Sequence, residues 1–393
     1  MSLLPEYISN PHLNSDPSTF RSWKVHKAFS EAKPLEWHAS LPGYEPAPLV
    51  SLPDVAAKLN LDQVWCKDES GRFGIKAFKA LGASWAIHRW LQRNPGTQKP
   101  VTFCTATDGN HGKSVAWSAK MMGQRAEVFM PGNTVPARIE RIRDEGATVH
   151  VIDGNYEATV AAAKRAAENN GYVLVQDTSW PGYESIPTDV KAGYLTHFEE
   201  LESQPDKPLH GSEKLRPDLV MLQSGVGSWA AAAVWYYHKK YGKNRPKLVV
   251  VEPVTSDGFA ASLIAGKPEI PRNAGETIMA GLNCGRPSLL AWEVLREGAD
   301  GVITVTDESA KEAMRIFAKS GKRKAIVSGE SGASGLAGLL TMKNLPDGEK
   351  PEWLREVRSA LVFNTEGDTD PEGYREIIGE LEKMMGIGKN KET

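Results

Sequence analysis

From Pro100 onward the chain alternates short apolar runs with longer segments of helical period. The runs "PVTFC", "AEVFM", "ATVHVID", "YVLVQDT", "LVMLQ", "LVVVEP", "GVITVTD" and "ALVFNTEGD" are rich in β-branched and aromatic residues and predict strands. The segments "KSVAWSAKMMG", "PARIERIRDEG", "YEATVAAAKRAAENNG", "SWAAAAVWYYHKKYG" and "ESAKEAMRIFAKSG" repeat apolar residues every three or four positions and close on glycine, which predicts helices. Short strands alternating with helices predict an α/β fold with a mainly parallel sheet. Runs as apolar as "LVVV" suit strands covered on both faces.

The earlier part reads differently. Residues 1–45 are rich in Pro, Ser, Asn and His without a sustained period, which predicts an arm lying over the body. "GYEPAPLVSLPDVAAKLNL" predicts an extended stretch and a short helix with Pro53 near its start, and "QVWCKDE" a short strand. A length of 393 residues exceeds one hydrophobic core, so two lobes are expected. A formal charge of -2 gives no basic surplus for nucleic acid. Three scattered cysteines make neither a disulfide framework nor a zinc site, and with no secretory signal in view a reducing cytoplasmic compartment is expected. No apolar stretch approaches the length of a membrane span.

In such folds the ligand crevice lies at the carboxyl ends of the strands. Three polar loops stand there: "TATDGNHG", "QSGVGSWA" and "FNTEGDTDP". In the second, Ser224, Gly225, Val226, Gly227 and Ser228 follow a strand and open a helix, a place where backbone N–H groups hold an anion. The same glycines also suit a tight turn with no ligand. Gly225-x-Gly227-x-x-Ala230, with Glu252 ending the next strand, matches a dinucleotide fingerprint as well. "GNHGKS" does not make a triphosphate loop, because Thr107 stands where that pattern needs glycine.

Two lysines, Lys76 and Lys79, lie three apart in "KDESGRFGIKAFKALGASWAI" and would share a helix face if the helix has begun by then. A lysine becomes a nucleophile when desolvated or held covalently, and both of these have apolar neighbours.

That stretch, followed by "TATDGNHGKSVAW", resembles the pyridoxal-phosphate enzymes of the tryptophan-synthase β-subunit type, fold type II. Within that group the resemblance is strongest to the diaminopropionate ammonia-lyases. It is carried by "GYEPAPL", "TDGNHGKSVAW", "VQDTSWPGYESIPT", "SGVGS", "VEP", "ETIMAGLNCG", "SGESGASGL" and "NTEGDTDP", in order from about residue 43 to residue 375.

The resemblance implies pyridoxal 5'-phosphate as cofactor, carried by Lys79 with Phe78 beside it. It implies Asn110 at the cofactor's 3-hydroxyl and a monophosphate in the Ser224–Ser228 loop. Asn364 falls where relatives have a serine facing the pyridine nitrogen, with Thr365 next to it. Asp108 and Asp177 match aspartates near the substrate. The structural alternative is a loop cap for Asp108 and a turn cap for Asp177. Ser328, Gly329 and Glu330, with Ser331 and Gly332, match a loop near the substrate carboxylate or cofactor, or else serve tight helix packing. No metal site is expected.

The implied architecture joins residues 1–85 and 201–393 into a large cofactor-binding lobe, with 1–42 as its arm and 86–200 as the small lobe. The implied reaction is α,β-elimination of 2,3-diaminopropionate, D and/or L, to pyruvate and ammonia. Lys79 would be the base on one face and Asp108 on the other, in a homodimer. Serine or threonine dehydration, β-replacement and a non-catalytic cofactor-binding protein are the alternatives.

Overall fold

Each apolar run finds its neighbours in one of two sheets, and the loops between them meet in a single cleft. A computed structural model describes residues 4–14, 16, 25–98, 100–107, 109–154, 156–204, 216–273, 275–320 and 325–384. The strands are β1 (Tyr7–Ser9), β2 (Leu49–Ser51), β3 (Gln63–Asp68), β4 (Thr102–Ala106), β5 (Arg125–Pro131) and β6 (Thr148–Ile152). They continue with β7 (Val173–Leu174), β8 (Leu219–Gln223), β9 (Lys247–Pro253), β10 (Gly301–Val305) and β11 (Ser359–Asn364).

The larger sheet has seven strands in the order β1-β10-β9-β8-β11-β3-β2. Its five inner strands are parallel, and the edges β1 and β2 run antiparallel to their neighbours. The smaller sheet, β6-β5-β4-β7, is parallel throughout. Parallel strands need helical crossovers, so both faces are covered and inner strands can be apolar on both sides. Leu248 to Val251 are indeed fully buried.

The helix Glu330–Asn344 lies on one face of the larger sheet and is buried almost all round. Gly338 permits the approach: a Cβ there would come within 2.7 Å of Val251 Cγ2. The helix Ser228–Tyr241 covers the other face with Ala230 to Ala233.

The N-terminal segment adds detail and one expectation changes. β1 pairs with β10 through Tyr7, Ile8 and Ser9, and short helices span His26–Glu31 and Pro34–His38. A three-residue edge strand and helices of six and five residues are too short to leave a period in the sequence. The run "YVLVQDT" supplies only the two residues of β7. After Val175 donates to Cys104 O at 2.8 Å, the buried Gln176 bonds across to Ala106 N at 3.3 Å and the chain leaves the sheet.

Beside the larger sheet lies a fully buried ion cluster. Glu200 accepts from Lys67 Nζ at 2.6 Å and from Arg72 Nη1 at 2.8 Å, and Arg72 Nε donates to Glu69 at 2.7 Å. Burial works against the charge on Glu69, but Arg72 and then His197 outweigh it and hold its carboxyl well below the ordinary value. Glu200→Ala strips Lys67 and Arg72 of a shared carboxylate. The expected loss is roughly 3–5 kcal/mol, the cost of an orphaned buried charge. Thermal or urea unfolding of the purified protein reads it; an unchanged midpoint would mean that water reaches the cluster.

Candidate active site

Lys79 owes its position to the turn that follows β3. Phe73 and Lys76 hold left-handed backbone angles, φ 48° and 65°, with Gly74 between them at 69°. Side chains rarely adopt this region, and it persists where surrounding bonds fix it. Here Arg72 is anchored by Glu69 and Glu200, Gly367 N donates to Lys76 O at 2.9 Å, and Phe78 N donates to Thr365 O at 3.1 Å. The helix then begins at Lys79 and runs to Arg93.

Lys76 therefore lies outside the helix and shares no face with Lys79. It is 44% exposed and its Nζ donates to Asp368 at 2.6 Å, pinning the loop after β11.

Lys79 lines the cleft in which these loops meet, and the cleft opens to solvent. Its Nζ is ion-paired with Asp177, which the chain delivers after leaving β7. Ser228 Oγ holds the Asp177 carbonyl, and His111 Nε2 lies 2.8 Å from Val175 O. Burial alone would discharge both partners. Asp177 outweighs it and lifts the Lys79 amine above its ordinary value, while Lys79 and then His111 hold Asp177 well below the carboxylate range.

Opposite stands the turn after β8. Gly227, at φ 86°, caps the helix Ser228–Tyr241, whose first N–H groups lack partners within the helix. A Cβ on Gly225 would lie 2.8 Å from Cys284 Sγ and 2.9 Å from Gly281 O, so only glycine fits. Ser224, Gly225, Val226, Gly227 and Ser228 all line the cleft.

Phe78, Asn110, Glu330 and Thr365 line it too. Asn364 does not. Strand alternation turns its side chain to the other face, where Nδ2 donates to Asp68 Oδ1 at 2.8 Å and to Val327 O at 2.9 Å. Thr365 faces inward, and its Oγ1 accepts from Gln223 Nε2 at 3.1 Å. Ser328 and Gly329 lie behind the cleft wall. Ser328 Oγ donates to Gly329 O at 2.9 Å, and a Cβ on Gly329 would meet Gly367 O at 2.7 Å, so the close approach there requires glycine. Asp108 lies outside the described residues.

The residue that sequence reasoning overlooked is Glu366, one position after Thr365. It is buried, accepts from the Asn110 amide, and accepts from Ser331 N at 3.1 Å. It thereby ties the "DGNHG" loop to the start of the helix Glu330–Asn344. Burial, with Glu366 and Asp370 nearby, pushes the Glu330 carboxyl up to about 7. Arg141 adds a tie across the cleft, donating to Thr369 O at 2.6 Å. The only sequence signal for Glu366 was its place inside "NTEGD".

The depressed Asp177 carboxyl has a measurable consequence. Such a group adds stability above its unfolded value of about 4, and that stability fades as pH falls. In Asp177→Asn the urea midpoint should therefore drop less steeply than in the wild type between about pH 5 and pH 3.

Known proteins bear on this arrangement. A family model described as pyridoxal-phosphate dependent enzyme matches residues 41–351. Diaminopropionate ammonia-lyase from Salmonella typhimurium strain LT2 is 37% identical over 370 residues, 88% of this chain and 90% of that protein. The crystal structure of diaminopropionate ammonia lyase from Escherichia coli in complex with an aminoacrylate-PLP azomethine reaction intermediate superposes with a TM-score of 0.82 at 34% identity. That match covers 96% of this chain and 98% of the other. The processed form of threonine deaminase isoform 2 from Solanum lycopersicum shares the fold, with a TM-score of 0.73 at 18% identity.

Proposed function

This chain belongs to the pyridoxal-phosphate-dependent enzymes, fold type II, and from that premise we propose the following assignment of its cleft. The protein is a carbon–nitrogen lyase that eliminates ammonia from 2,3-diaminopropionate, as its diaminopropionate ammonia-lyase relatives are named for doing. The observation that carries the assignment is a single cleft holding a half-buried lysine at one wall and a glycine-built anion cradle at the other.

The residues present fit the cofactor. Ser224 to Ser228 offer the cradle that a Cβ at Gly225 would fill, and Lys79 offers the amine. Thr365 spends its acceptor side on Gln223, so its single proton remains to be donated to a ring nitrogen. A neutral partner there would leave the nitrogen of the bound cofactor largely unprotonated. Asn110, whose amide reaches Glu366, is assigned to the 3-hydroxyl side. Pyridoxal phosphate, when bound, supplies the sink for charge left at the α-carbon.

The chain supplies the proton chemistry. Lys79, once its amine is free and neutral, takes the α-proton of the L-isomer. Asp108 takes that of the D-isomer from the other face. Asp177 faces the substrate with a carboxylate held ionised, which suits its second ammonium. Ammonia leaves from the β-carbon, and the enamine released hydrolyses to pyruvate and a second ammonia. Glu330 belongs to the substrate side of the cleft.

The proposal extends to the lobes, 1–85 with 201–393 and 86–200, supported by a four-stranded sheet that lies wholly between Thr102 and Leu174. It also extends to a cytoplasmic homodimer, supported by the family resemblance. Among the described residues no helix is long and apolar enough to cross a membrane.

Pyruvate release from each isomer tests the reaction. Both should yield pyruvate with the wild type. Asp108→Asn should lose the D-activity by roughly 10²–10⁴-fold, the usual worth of a positioned base, and keep the L-activity. Turnover of serine or threonine with none of diaminopropionate would move the assignment to a sister dehydratase.

A further inference from the structure

Glu366 has no step of its own in the reaction above. It is 6% exposed and lines the cleft. Its Oε1 accepts from Ser331 N at 3.1 Å, and its Oε2 accepts from the Asn110 amide and from Thr369 Oγ1 at 3.4 Å. All three partners donate, which is what an ionised carboxylate can take, since it only accepts.

The carboxylate is itself held in place. Glu366 pairs with Ala77 in an antiparallel bridge, and its carbonyl accepts from Gly329 N at 3.1 Å. An ideal Cβ on Gly329 would lie 2.8 Å from Glu366 Oε1, so the glycine leaves room for this side chain.

Asn110 is fixed at its other end. It opens the helix Asn110–Met121, and its carbonyl accepts from Ser114 Oγ at 2.7 Å. A Cβ on Gly112 would lie 2.3 Å from Thr107 Cγ2, so this first turn sits hard against the end of β4. What the backbone leaves undecided is which way round the Asn110 amide stands.

The two ends of an amide are alike in shape and opposite in chemistry: the nitrogen donates twice and the oxygen only accepts. Glu366 decides between them. Turned over, the amide would set its oxygen against a carboxylate oxygen, acceptor against acceptor. The nitrogen therefore stands at Glu366, with one N–H spent there and the other left to donate.

We propose that Glu366 is a positioning residue that fixes the Asn110 amide so that its second N–H serves the cofactor's 3-oxygen and holds that oxygen as an anion. The proposal rests on the reading of Asn110 as the partner of the 3-oxygen and is independent of the substrate. A donor beside the oxygen favours its charged form. The amide oxygen in the same place would favour the hydroxyl instead. A carboxylate suits the task better than an amide would, because a glutamine at 366 could pair with either end of Asn110.

Absorbance of the holoenzyme reads the 3-oxygen, since the bound cofactor absorbs in the visible when that oxygen is an anion and in the near ultraviolet when it is a hydroxyl. In Glu366→Gln the amide can turn over, and the near-ultraviolet band should gain roughly two- to ten-fold on the visible band, the worth of one hydrogen bond. Removing a nearby negative charge would by itself favour the anion and move the ratio the other way. Glu366→Asp keeps a group that only accepts and should lie nearer the wild type. In an Asn110→Ala background, Glu366→Gln should change the ratio no further. Dissociation constants give a second readout: Glu366→Gln should weaken pyridoxal phosphate roughly two- to ten-fold and leave 3-deoxypyridoxal phosphate unchanged. An unchanged or opposite band ratio, or equal weakening of the two cofactors, overturns the proposal. The expected shift in a protein that does not turn over diaminopropionate supports the positioning role and overturns the reading of the reaction.

Discussion

The ion pair between Lys79 and Asp177 is the constraint around which the cleft is built. Its partners come from distant parts of the chain, Lys79 from the turn after β3 and Asp177 from the segment that leaves β7. Each alone would be a charge in a wall that excludes most water, and burial would neutralise it. Together they stay ionised, and the chain must bend twice to let them meet. The left-handed angles at Phe73 and Lys76 make the first bend. The early end of β7 after two residues makes the second.

What holds those bends is a layer of buried charge below the cleft. Arg72 ties the first turn to Glu69 and Glu200, and Lys67 shares Glu200. From Glu69 the contact passes to His197, which accepts from Trp229 Nε1 at 3.0 Å. Trp229 follows Ser228 at the end of the glycine turn and packs by Phe78, the neighbour of Lys79. The lysine wall and the glycine-turn wall thus share one rigid support. Preorganisation of this kind lets a site hold its charges without rearranging during reaction.

Much of this was legible in the chain. Continuous apolar runs such as "LVVV" gave away strands covered on both faces, because that pattern has few other uses. "QSGVGSWA" gave away a tight turn at the cleft wall, because glycine at 225 and 227 answers a steric demand. Contacts between segments remote in sequence were illegible. Periodicity could not tell Asn364 from Thr365, since which of two adjacent residues faces inward depends on where the strand ends. Lys76 looked like a companion to Lys79 because the left-handed turn that ends at Lys76 leaves its mark only in Gly74. Glu366 gave no signal beyond its place in "NTEGD", since its meaning lies in the bond that Asn110 brings to it.

The most direct measurement is the identity of the lysine that carries the cofactor. The yellow holoenzyme is reduced with borohydride, which fixes the bond between lysine and cofactor, then digested and mapped by mass spectrometry. The account predicts the phosphopyridoxyl mass on Lys79 alone. Label on Lys76 or on the buried Lys191, or a protein that takes up no cofactor, would contradict it.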